Sequence, residues 1–172
     1  MKAEEPLTVF VYGTLKPGGR FWEKYCAGRV VESKRARVRG RLFHLRKAGY
    51  PAMAEDTTHD PRDQTAAGWV RGWWLVLKSE TALRGLDELE GYRPGREPQE
   101  NEYQRVRREC FAEIEDSKLK IQHQPDPESQ SGPSLGEAWV YVMTPDWITR
   151  LSGALVKDGE WDEKKTPKLW DI

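Results

Sequence analysis

Glu90 lies seven residues after Leu83 and four after Leu86, on the apolar stripe of a helix that the period of Leu83, Leu86 and their flanking Ala82 and Leu89 predicts over Glu80 to Gly91. An acid on that face is costly to ionise. The last turn of a helix also disfavours an anion, so both effects raise the carboxyl pKa toward the range in which it accepts and returns a proton near neutral pH. The plainer alternative is a helix-end side chain that reaches solvent or pairs with Arg93 or Arg96. Asp87 and Glu88 are read as lying off the stripe, in water.

The second candidate is a loop. Thr8 to Val11 reads as a buried strand and opens directly into Tyr12, Gly13, Thr14, Leu15 and Lys16, followed by Gly18 and Gly19. Glycine lets the backbone approach a ligand and aim several N–H groups at one point, which suits a carboxylate or a developing oxyanion. The chain lacks the Gly-Lys-Ser/Thr ending of a phosphate loop and the G-x-G-x-x-G of a dinucleotide site. An ordinary strand-to-helix turn is the alternative. His44, His59 and His123 stand in unrelated contexts, so no metal site is expected. No G-x-S-x-G elbow is present, and Cys26 and Cys110 read as buried free thiols in a reducing, cytoplasmic setting.

These residues need elements to position them. Phe21 to Ala27 reads as a short helix, and Val30 to Leu45 as a long alternating stretch with Ala36, Val38, Gly40, Leu42 and His44 on one face. Lys34, Arg35, Arg37, Arg39 and Arg41 are expected to form a solvated strand face. Trp69 to Leu77 is a further strand. Ser79 is placed to cap the Glu80 helix and Gly91 to end it. Tyr103 to Ile114 and Glu137 to Met143 return to strand character. Glu55 to Ala67 is expected to be a surface loop, and Asp116 to Gly136 a mobile insertion. Strands of this number with hairpin-like neighbours predict an α+β fold: a small mixed, mainly antiparallel β-barrel or curled sheet with one or two flanking helices.

At 172 residues the chain suits one domain, residues 1–172. With 28 basic and 28 acidic residues it has no global field to draw it to nucleic acid or an anionic membrane. No apolar run approaches a membrane span, and a monomer or weak dimer is expected. The hydrophobic fraction is only 37%, so the tryptophans are read chiefly as core, with a sugar-binding face as the alternative.

Taken in order, Val9-Phe-Val-Tyr-Gly-Thr-Leu-Lys, Gly40-Arg-Leu-Phe, Tyr50-Pro-Ala, Val70-Arg-Gly-Trp-Trp-Leu-Val, Leu86-Asp-Glu-Leu-Glu-Gly-Tyr, Tyr103-Gln-Arg and Gly159-Glu-Trp resemble the gamma-glutamylcyclotransferase-like family. The resemblance implies a compact barrel with a cavity and cofactor-free cyclisation of a small-molecule gamma-glutamyl substrate to 5-oxoproline, with release of an amine. It implies Glu90 as the general acid/base, Tyr12, Gly13, Thr14 and Leu15 as the substrate-binding loop, and Tyr103 as a pocket tyrosine. The charged linker from Arg93 to Asn101 and the 116–136 insertion depart from the pattern on the leaving-group side. A catalytically silent member of the fold that binds a small ligand or protein partner is the alternative function.

Overall fold

The computed structural model describes residues 6–55, 68–113 and 132–165. Strand β1 (Thr8–Val11) leads through the glycine loop to a one-turn helix α1 (Trp22–Tyr25), then β2 (Val30–Arg39), β3 (Arg41–Leu45), β4 (Tyr50–Ala54), β5 (Trp69–Leu77) and helix α2 (Glu80–Leu89). A 3₁₀ turn at Pro98–Glu100 precedes β6 (Gln104–Ala112), β7 (Ser134–Val142), α3 (Pro145–Arg150) and β8 (Gly153–Leu155).

The sheet runs β1-β5-β2-β6-β7-β4-β3-β8, and a parallel pairing of β1 with β7 closes its first five strands into a barrel. The other barrel pairings are antiparallel, so the expected mixed, mainly antiparallel barrel is what forms. Beyond β7, the β3–β4 hairpin and β8 extend the sheet.

Alternation along the strands makes two cores. Phe10, Val38, Val70, Cys110 and Val140 come one from each barrel strand and fill the interior. Val9, Val11, Leu75 and Leu77 point the other way and pack with Ala82, Leu83 and Leu86 of α2. A strand buried on both faces carries a continuous apolar run, which is why Thr8–Val11 shows no polar alternation.

Helix α2 begins and ends where its residues dictate. The Ser79 hydroxyl accepts from the Ala82 N–H at 3.4 Å. At the other end Gly91 takes a φ of +65°, and the N–H groups of Gly91 and Tyr92 close on the carbonyls of Glu88 and Asp87, the paired bonds of a Schellman end. Glu90 is the residue at which the helix stops.

Several expectations need correction. The Val30 to Leu45 stretch is two strands, broken at Gly40. The arginine face of β2 is not simply solvated: Arg37 and Arg39 stack on Trp69, Arg35 stacks on Trp73, and Arg35 also pairs with Glu113 and Glu160. Trp74 and Trp161 are buried, whereas Trp69, Trp73, Trp139 and Trp147 lie half-buried. Strand β7 begins at Ser134, inside the segment expected to be an insertion; the rest of that segment up to residue 131, and the loop after Glu55, lie outside the described residues. Both cysteines are buried free thiols.

Gly72 shows how tightly the barrel closes. A Cβ there would sit 2.2 Å from the Val11 carbonyl oxygen and 2.9 Å from the Phe10 ring, which occupies the space a side chain would need. Gly72→Ala should therefore lower stability by about 1 to 3 kcal/mol, the usual cost of overpacking, read as a lower midpoint in urea unfolding.

Candidate active site

A cavity of about 300 Å³ opens beside the end of β1. The elements deliver its walls from far apart in sequence. Tyr12 to Leu15 come from the loop after β1, Tyr50 and Pro51 from the start of β4, Glu90 from the end of α2, Glu102 and Tyr103 from the approach to β6, and Tyr141 from β7. All six residues singled out from the sequence meet here: Tyr12, Gly13, Thr14, Leu15, Glu90 and Tyr103.

Glu90 borders the cavity and is half-buried as a residue, but protein surrounds its carboxyl. Burial, and then the charge of Glu102, push its pKa from 4.5 up to about 8. Burial, the larger cause, is the one expected from the helix stripe, and Glu102 is a further cause that only the tertiary fold supplies. Among the described residues no ion pair joins Glu90 to Arg93 or Arg96, and no hydrogen-bond partner meets its carboxyl. Arg93 is instead drawn back by its N–H, which donates to the buried Asn101 Oδ1 at 3.0 Å and pins the charged linker.

The tyrosines around Glu90 have their protons committed elsewhere. Tyr12 donates to the Tyr141 carbonyl at 2.6 Å and accepts from the Met53 N–H at 3.0 Å. Tyr103 donates to the Pro51 carbonyl at 2.7 Å, Tyr141 donates to Asp87 Oδ1 at 2.7 Å, and Tyr50 donates to Glu102. Burial raises all four phenol pKa values, and the charge of Glu90 raises each of them further. All four hydroxyls therefore stay protonated.

Asp87 is the residue that sequence reasoning missed. It was read as solvated, yet it is buried, bonded to Tyr141 and paired with Arg105 at 2.7 Å. The signal was present: Asp87 follows Leu83 by four, so 83, 86, 87 and 90 form one continuous helix stripe. Tyr50 and Glu102 carried no such signal, because only the tertiary fold brings them to the cavity.

The glycine loop supplies the opposite polarity. Among the described residues no acceptor is paired with the backbone N–H groups of Gly13, Thr14 and Leu15, while the carbonyls of Gly13 and Thr14 are taken by Lys16 and Phe21. Gly13 itself is required by contact rather than by backbone torsion: a Cβ would sit 2.6 Å from Pro51 Cγ. Arg20 is the one cation among the described residues lining the cavity, and its guanidinium pairs with Glu163.

An unpaired acid with a raised pKa and unpaired backbone N–H groups line one cavity of a five-stranded barrel, and residues 9–163 match the family described as Gamma-glutamyl cyclotransferase, AIG2-like. The chain belongs to that family. No curated protein sequence matches it at a significant level. Among solved structures, an AIG2-like protein from Mus musculus is 19% identical with a TM-score of 0.54, covering 95% of this chain and 92% of that one. A Pyrococcus horikoshii protein is 16% identical with a TM-score of 0.52, covering 92% of each chain. YkqA from Bacillus subtilis is 17% identical with a TM-score of 0.52; the match covers 91% of this chain but 40% of YkqA, so this chain spans under half of that protein's length. At these identities the likeness establishes a shared fold. This AIG2-like chain has no helix, among its described residues, long and apolar enough to cross a membrane.

The raised pKa of Glu90 has a stability consequence. Folded chain holds this proton more tightly than unfolded chain, so the contribution is fully present below pH 4.5 and is lost as pH rises to about 8. Glu90→Gln removes the dependence. Its stability relative to wild type should rise across that window by at most about 1.4 kcal/mol per pH unit and level off above it, measured by urea unfolding at a series of pH values.

Proposed function

We propose that this protein cyclises a gamma-glutamyl group to 5-oxoproline and releases the amine it was joined to, with Glu90 moving the protons. Membership of a cyclotransferase family supports the reaction class. The observation that carries the reading is the Glu90 carboxyl itself, unpaired, its pKa raised to about 8, on the cavity that the loop N–H groups also line.

The substrate's α-ammonium must lose a proton before its nitrogen can attack the γ-carbonyl. Glu90 takes that proton. As the new C–N bond forms, the carbonyl π electrons move to oxygen, and the N–H groups of Gly13, Thr14 and Leu15 are the donors available to that oxyanion. When the oxyanion collapses, the old C–N bond breaks and the departing nitrogen takes the proton back from Glu90. The ring nitrogen gives up a second proton by the same route, so the released amine leaves as its ammonium and Glu90 ends as it began. Nucleophile and electrophile belong to one molecule, and well-oriented intramolecular reactions reach effective molarities of about 10⁵ to 10⁸ M, so holding the glutamyl chain folded supplies much of the rate. A pKa near 8 suits both halves of the task, because the same group must accept from an ammonium and donate to an amine.

Incubation with a panel of gamma-glutamyl amino acids, gamma-glutamyl-lysine and glutathione, read by mass spectrometry for 5-oxoproline, tests this directly. Glu90→Gln should lower kcat/KM by roughly 10² to 10⁴-fold, the usual worth of general acid/base assistance, while its circular dichroism stays that of the wild type. The wild-type kcat/KM should climb with pH through about 8, where free Glu90 ionises, and turn down as the substrate's ammonium is lost. Absence of 5-oxoproline from every substrate would leave a binding protein on this fold.

A further inference from the structure

The cavity has a polarity that the proton-transfer role of Glu90 does not require. The hydroxyl protons of Tyr12, Tyr50, Tyr103 and Tyr141 all go to protein acceptors. A phenol whose proton is spent turns only lone pairs to its other neighbours. Tyr12 has also used a lone pair on Met53, which leaves Tyr50, Tyr103 and Tyr141 with acceptor capacity. Glu90 and Glu102 add carboxylate oxygens to the same walls. These acceptors line the same cavity as the unpaired donors of the Gly13 to Leu15 backbone.

A wall of acceptors around an unpartnered acid is complemented by a multiple donor, and an ammonium group with three N–H bonds and a positive charge is the small donor that fits. The acceptors are not equivalent. Tyr103 donates to a neutral carbonyl, whereas Tyr141 donates to the buried Asp87, itself held by Arg105. Hydrogen bonds in series polarise one another, so donation to a carboxylate makes the Tyr141 oxygen the stronger acceptor of the two. Asp87 also locks the hydroxyl, since rotation toward a ligand would abandon a charge-assisted bond.

Resting on the cyclotransferase reading, we propose that Tyr141 is the specificity-determining residue that accepts a hydrogen bond from the substrate's free α-ammonium, and that Asp87, fixed by Arg105, is the positioning residue that holds Tyr141 as an acceptor. The site then selects ligands by their unblocked amine before any chemistry occurs. Glu90 receives an ammonium already oriented with one N–H toward Tyr141 and another toward itself.

The test compares L-glutamine with glutaramate, the same molecule lacking the amine, by calorimetric titration of the wild type, Tyr141→Phe and Asp87→Asn, with 5-oxoproline formation assayed in parallel. Wild type should bind L-glutamine more tightly than glutaramate. Tyr141→Phe, which keeps the ring and its packing, should cut that preference by about ten- to a hundredfold, the worth of a hydrogen bond to a charged group, and leave glutaramate affinity nearly unchanged. Asp87→Asn should reduce the preference in the same direction and raise KM more than it lowers kcat; if it fails to fold, Tyr141→Phe decides the matter alone. Equal weakening of both ligands, an unchanged preference in Tyr141→Phe, or a wild type that binds neither or prefers glutaramate would overturn the proposal. Should any of these occur while 5-oxoproline is still formed, the cyclotransferase reading stands without this recognition step; with no 5-oxoproline either, both fall.

Discussion

One hydroxyl reinforces the junction between the two parts of the sheet, where the Met143 N–H also donates to the Met53 carbonyl at 2.9 Å. Strand β4 meets β7 through a single described Cα pair, Met53 with Val142, far less than the long ladder of β6 with β7. The Tyr12 hydroxyl fills the gap, taking the Met53 N–H and giving its own proton to the Tyr141 carbonyl, so that β1, β4 and β7 are tied at one oxygen. Two buried backbone groups, the Met53 N–H and the Tyr141 carbonyl, are bonded at once. This tie sets Pro51 against Gly13, and Pro51 in turn receives the Tyr103 proton. The cavity exists because these contacts hold the extension a fixed distance from the barrel's end.

Spending tyrosine protons on the framework has an electrostatic cost, and it falls on Glu90. The hydroxyls nearest this acid have nothing left to donate, so its ionised form faces oxygen atoms and a second carboxylate. A fold selected only for stability would place leucine or a protonated partner there. The acid is retained at a site whose other groups also work against its charge, the pattern expected where stability is given up for activity.

The loop that supplies the donors is held from outside by the end of the described chain. The Val156 N–H donates to the Leu42 carbonyl, the Gly159 carbonyl accepts from the Arg71 N–H, and Trp161 is buried with its indole N–H on His44 Nδ1 at 3.1 Å. The Trp161 carbonyl accepts from Lys16 Nζ at 2.5 Å, and burial lowers the pKa of that lysine. Burial and Arg46 likewise depress His44, which keeps it neutral and able to accept. A histidine that looked unengaged in the sequence thus anchors the strap that braces the loop.

Local pattern determined the elements. Ser79 and Gly91 mark the ends of α2 because capping is a matter of neighbouring residues, the unbroken apolar run of β1 reports burial on both faces, and Glu90 was legible because helical period is itself local. The barrel class followed from the number and spacing of strands. Closure of β1 against β7, the cation–π cover over the β2 arginines and the partners of Asp87, Tyr141 and Arg105, were decided only in three dimensions. The same holds for the cavity's second acid and two of its tyrosines: Tyr50, Glu102 and Tyr141 are separated by some ninety positions. No short-range rule links such residues, since what brings them together is strand pairing across the whole sheet, and what gives each its role is the hydrogen bond it makes there.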